Sequence, residues 1–398
     1  MEFFLSQAGE REKEYDWLGA AEFYRKALDL VSETDSLKMG EVEEGVGYAF
    51  YRAAMQADNV DEFMKRMRLS AESHEKAAEM LAQIEPARAL YCRAMARYSD
   101  FWYAKDASQK KRSLDDCQRL LKEALDGFAV AGDPLGYGEA FHRLALCLWD
   151  KGFFVESLRE SKEVVDELVR YGQTAVTTLS KAGSVDELAW AYTMTSWHMI
   201  WNLDYFEERK IEFLSLISEY LKKAGELRER IEDLYFQFYL DLTLLVDAWV
   251  KGDLQVASRW AHNLLPQAER AKDHYLQAIA YHALNAVTAT AATTEEDPDK
   301  KREQHNLAIK FAEEAIGQNL LIGRYDRVFT RLISLIDSYL SLAELETSLE
   351  GKRALLKRAV EVGRKGSEHP QLSSSPQEMM GVFHGLSKAV FFLSETET

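Results

Sequence analysis

The sequence predicts an all-α chain, an α-solenoid of about eight antiparallel helix pairs followed by a C-terminal helix. Three observations predict it. First, a turn, an aromatic or apolar residue and then small residues recur at fixed offsets: Trp17, Ala20, Tyr24, Ala27; Lys151-Gly152, Phe154, Ser157, Ser161, Val164; and Lys251-Gly252-Asp253, Leu254, Ala257, Ala261, Leu264. Offsets of three and four residues lie on one helix face, and small side chains there let a second helix approach closely. Second, only 6 prolines interrupt 398 residues rich in Ala, Leu, Glu, Lys and Arg, the composition of helix nearly throughout. Third, no segment alternates with period two between turn residues, so no sheet is predicted.

Helix punctuation fixes the elements in order. Gly132 ends one helix, Asp133 caps the next and Pro134 fills its first turn,. Ser184 to Glu187 reads as a capping box after Gly183, and Asn59 to Glu62 reads much the same,. Gly152, Gly252 and Gly323 mark further stops. The predicted pairs are 2–32, 40–84, 86–131, 134–182, 185–230, 232–271, 274–320 and 324–366, with a last helix over 376–394. Residues 154–182 form one long helix or break near Tyr171-Gly172. The stretch 292–304 (ATTEEDPDKKREQ) is expected to be an exposed loop. Residues 1–366 make the solenoid. Residues 367–398 make a polar linker and an apolar helix, which docks on the last pair or belongs to a longer protein.

Charge limits the partners. A formal net charge of −17 repels nucleic acid and anionic membrane and favours a partner with a basic segment. Three widely spaced cysteines, Cys92, Cys117 and Cys147, fit small buried hydrophobes of a reducing compartment better than a disulfide or zinc framework. The N-terminal residues turn charged too soon for a signal peptide, and no run approaches the roughly 18–20 apolar residues of a membrane span. A cytoplasmic protein is expected.

Motifs for chemistry are missing. No phosphate loop, HExxH or GxSxG occurs. The nine histidines are scattered, so neither a metal nor another cofactor is expected. A catalytic pair cannot be singled out from 66 acidic residues. Aromatic stripes stand out instead. Trp190, Trp197 and Trp201 share a helix face with His198, Asn202 and Tyr205-Phe206 nearby. They read as core for Trp190 and Trp197 and as a groove edge for Trp201. Tyr91, Met95, Tyr98 and Trp102 form a second stripe, also read as core. That leaves Arg93 and Arg97 on the other face.

The spacing of Phe4, Ala8, Trp17, Ala20, Tyr24 and Ala27 resembles the tetratricopeptide repeat (TPR) superfamily. So does that of Ala140, Phe141, Leu144, Ala145, Leu148, Gly152, Phe154, Ser157, Ser161 and Val164, and that of Leu244, Ala248, Gly252, Leu254, Ala257 and Ala261. The pairs are longer than a standard repeat, and the pattern is similar to TPR arrays attached to bacterial and archaeal signalling proteins. The resemblance implies a right-handed solenoid whose first helices line a concave groove. It makes Arg52, Arg93, Arg97, Arg143, Trp197, His198, Trp201 and Asn202 candidates for that groove, each with the alternative of an ordinary packed or solvated side chain. The Lys and Asn set of carboxylate-clamp TPRs does not occur on the matching helices, which carry Gln7 and Arg11, His142 and Arg143, and Asp241 and Asp247. The function implied is non-catalytic binding of a protein or peptide. The alternatives are a ligand-sensing domain of a larger signalling protein and, less favoured, an enzyme with a site between repeats.

Overall fold

Helix starts fall where an acidic or polar cap precedes an apolar run. In the computed structural model, which describes residues 1–154, 158–368 and 376–396, the side chains of Asp16, Asp35, Asn59, Asp106, Asp133, Asp253, Asp273 and Ser348 each accept a backbone N–H three residues on. Each thereby satisfies a donor that the first helical turn leaves without a partner. The Asp133 bond to the Gly136 N–H is 3.0 Å. Asp133→Ala should cost about 1 kcal/mol of stability in urea titrations; an unchanged midpoint would show that this cap is idle.

The chain forms two compact units, residues 1–243 and 244–398. In the first, successive pairs are α1 (Glu2–Lys13) with α2 (Trp17–Leu28), α3 (Ser36–Ala54) with α4 (Val60–Leu81), α5 (Pro86–Tyr103) with α6 (Ala107–Ala131), α7 (Pro134–Lys151) with α8 (Leu158–Ala182), and α9 (Val185–Trp201) with α10 (Lys210–Leu227). The boundary between the units falls within α11 (Leu234–Val250). The second unit continues with α12 (Leu254–Ala271), α13 (His274–Thr294), α14 (Pro298–Leu321), α15 (Tyr325–Leu345), α16 (Leu349–Ser367) and α17 (Pro376–Glu395). No strand occurs among the described residues. This is the TPR-like repeat of antiparallel helix pairs that the spacing predicts.

The small residues of the spacing do the expected packing. Ala8, Ala20 and Ala27 in the first pair, and Ala257, Ala261 and Leu264 in α12, are fully buried. Ser157 and the side chains of Ser161, Tyr205 and Phe206 lie outside the described residues, as do linker positions 369–375. Helix α8 runs unbroken through Gly172, where a Cβ would overlap the Thr195 hydroxyl of α9. The glycine serves a close approach of two helices and not a break. Cys92, Cys117 and Cys147 are buried free thiols.

Two expectations are corrected. The stretch 292–304 is mostly helix: α13 reaches Thr294, and Asp297 caps α14 by accepting from the Asp299 and Lys300 N–H groups. Its Lys, Arg, Glu and Gln residues are good helix formers, and that preference prevails over polarity. Ser184 sits at the N-cap of α9 but makes no capping bond. Glu187 instead packs against α7, where Gly138 leaves no room for a Cβ beside it.

In the second unit α17 docks on α15 and α16. Leu386, Ala389, Phe392 and Leu393 pack with Ile336, Leu356, Ala359 and Val360.

Candidate functional site

Four first helices of the leading pairs, α1, α3, α5 and α7, supply most of the wall of a cavity of about 570 Å³ in unit 1. The contributing positions repeat with helical spacing: Glu41, Glu44 and Tyr48 on α3; Arg88, Tyr91 and Met95 on α5; Glu139, His142 and Arg143 on α7,. Glu12 of α1, Tyr24 of α2, His74 of α4, Glu85 and Asp133 complete the polar lining.

Most of these groups are held by one another. Arg88 is the hub. Its guanidinium bonds Glu44 at 2.5 and 2.7 Å and Glu139 at 2.5 Å, tying α3, α5 and α7 together. Burial raises the Glu44 carboxyl above its usual range, and the charge of Arg88 opposes that shift. Tyr24 donates to Glu12 at 3.1 Å, and burial also raises the Glu12 carboxyl. His74 is fully enclosed; its Nδ1 donates to the Ser70 carbonyl at 2.9 Å, and burial pushes its pKa down to about 4.

Arg143 is the exception. It is 8% exposed, and among the described residues no carboxylate pairs with it and no acceptor bonds it. Its guanidinium lies 5.4 Å from the ring centroid of Tyr48, and Arg52 lies 5.3 Å from the same ring. Two cations thus flank one phenol inside a strongly acidic chain. Beside them, the His142 ring stacks on Trp190 at 3.9 Å. His142 is half-buried as a residue, and its Nε2 is shielded and has no hydrogen-bond partner among the described residues. Burial, reinforced by Arg143 and Arg52, holds His142 well below the usual imidazole range.

Tyr235 of α11 lies 3.6 Å beneath the Arg52 guanidinium and meets the rings of Tyr15 and Trp17. Tyr15 takes a left-handed backbone (φ 59°) at the turn between α1 and α2, and its carbonyl accepts from Gln56 at 2.9 Å.

The sequence-derived candidates therefore separate. Arg143 lines the cavity, and Arg52 stands beside it. Arg93 and Arg97 lie on Glu75 of α4, away from the cavity lining. Their neighbours Tyr91, Met95, Tyr98 and Trp102 are buried, as the stripe predicts. Trp197 and His198 are also buried; His198 donates from Nε2 to the Ala145 carbonyl at 3.1 Å, and burial pushes its pKa down to about 3. Trp201 is 43% exposed and joins Trp149 and Trp197 in an aromatic cluster. Asn202 is spent on the His198 carbonyl. Sequence reasoning did not single out Glu44, Tyr48, Arg88 or Glu139 for the site. Their shared first-helix spacing is the signal that could have found them. Among the described residues no group of three or more metal-ligating side chains converges, and no helix is long and apolar enough to cross a membrane.

No protein-family model matches the chain, and no curated protein does. Solved structures resemble it at low identity. A signal-transduction ATPase (STAND protein) with a tetratricopeptide repeat sensor from Pyrococcus horikoshii is 14% identical, with a TM-score of 0.43 over 92% of this chain and 54% of that one. The chain thus spans about half that protein's length. A Rap protein complexed with competence and sporulation factor is 14% identical, with a TM-score of 0.49 over 99% of both chains. A human IFIT1 dimer with m7Gppp-AAAA is 13% identical, with a TM-score of 0.39 over 94% of this chain and 81% of that one. The likeness is one of TPR-like helical-repeat architecture.

Proposed function

We propose that unit 1 is a binding module, without catalysis of its own, that takes a peptide or a peptide-like segment of a protein partner into the hollow between its first helices. One observation carries this reading: four successive first helices line one polar cavity of about 570 Å³, the size and multi-element lining of a ligand site. The acidic surface favours a partner with a basic segment.

A rim plug tests the proposal. Glu41 is exposed at the cavity's edge and, among the described residues, is paired only with Lys38 on its own helix. Glu41→Trp should leave the melting temperature within about 2 °C of the parent. It should remove most of the retention of a randomised peptide pool by the immobilised protein. Undiminished retention by the plugged protein would move the binding surface elsewhere.

A further inference from the structure

A buried guanidinium without a counter-charge costs stability, because desolvation is not repaid by a partner. The nearest natural partner for Arg143 is Glu139, one helical turn before it on α7, the spacing at which Glu and Arg ordinarily pair. Glu139 is instead held by Arg88. Glu44, the other carboxylate of that hub, is held by Arg88 too. The hub thus keeps these two carboxylates off Arg143. Arg143 therefore lines the hollow without a counter-charge among the described residues. Elsewhere the lining is acidic: Glu12, Glu41, Glu44, Glu85, Asp133 and Glu139 outnumber Arg88 and Arg143.

We propose that Arg143 forms an anion subsite that receives the free C-terminal carboxylate of a short basic peptide, whose cationic side chains face the acidic remainder of the wall. This rests on the reading that the hollow holds a peptide and adds the end by which the peptide is held. A guanidinium offers paired N–H donors to a carboxylate.

The test compares two pools of randomised pentapeptides, one with free carboxyl ends and one amidated, on the immobilised full chain. Wild type should retain free-acid peptides rich in Lys and Arg roughly tenfold to a hundredfold over their amides, the worth of a charge-assisted hydrogen bond. Arg143→Met should abolish that preference and raise the melting temperature, since it removes an uncompensated charge. Arg143→Lys should keep part of the preference. Equal retention of acids and amides overturns the subsite, and loss of both on Glu41→Trp would still leave the peptide-binding hollow standing. No retention from either pool overturns the subsite and the hollow reading together. Inorganic phosphate that stabilises wild type but not Arg143→Met, with no peptide retained, would assign the subsite to a phosphate instead. A lower melting temperature for Arg143→Met with unchanged discrimination would make Arg143 a structural residue.

Discussion

Unit 1 should lose several kcal/mol of stability as the pH falls from 6.5 to 4. His74 and His198 are both enclosed, with pKa values pushed down to about 4 and about 3 from the ordinary 6.5. Burial is the main cause in each case. For His74 the positive charges of Arg143 and Arg88 add to it, and the bond to the Ser70 carbonyl opposes it. The sign follows from proton counts. Between pH 6.5 and the folded values, the unfolded chain binds protons that the native chain refuses, so stability falls with pH at up to ~1.4 kcal/mol per unit for each histidine. By pH 4 each contributes a loss of about 3 kcal/mol, against a typical total stability of about 5–15 kcal/mol. Glu12 and Glu44, raised by burial, act in the opposite sense, so a comparison of variants isolates the histidines. Urea titrations from pH 7 to 4, followed by tryptophan fluorescence, should show His74→Gln and His198→Gln each flattening the pH dependence by about 1 kcal/mol per unit. Slopes identical to wild type would mean that these imidazoles take up protons as readily in the folded state.

Local chemistry was legible in the sequence and long-range chemistry was not. Asp133 and Asn59 cap helices because an N-cap needs only its own next three residues,. Trp190, Trp197 and Trp201 could be graded from core to edge because burial follows helical period,. Ser184 failed as a capping box because its partner, Glu187, is drawn onto Gly138, 49 positions back along the chain, a contact no local pattern contains. The buried stripe of Tyr91, Met95, Tyr98 and Trp102 leaves Arg93 and Arg97 on another face of α5,. What lies across from them, Glu75 of α4, depends on how pairs stack. The candidate site shows the same division. Arg143 and Arg52 were named from first-helix position alone. The feature that makes Arg143 unusual, Glu139 taken by Arg88, joins α7 to α5 and α3 and is set by the assembled fold.

Removing that hub should be the most damaging single change to the cavity wall. Arg88 is the only cation in contact with Glu44 among the described residues, and the Glu44 side chain is 14% exposed. Arg88→Met leaves a buried carboxylate without a counter-charge, and a broken buried pair of this kind costs about 3–5 kcal/mol. Glu139 is 40% exposed and adds little to that figure, because water screens it. Replacing both partners with apolar residues removes the stranded charge, so Arg88→Met with Glu44→Leu should recover stability to within about 1 kcal/mol of wild type. The double-mutant cycle then reads the coupling directly in urea titrations. The same substitution releases Glu139, which can turn one helical turn along α7 toward Arg143. Arg88→Met should therefore also blunt any preference for free carboxyl ends, although Arg88 itself makes no claim on the ligand. A double variant that stays as unstable as Arg88→Met would show that the hub holds α3, α5 and α7 by shape and not by charge. An Arg88→Met protein that keeps full carboxylate discrimination would show that Glu139 does not compete for Arg143.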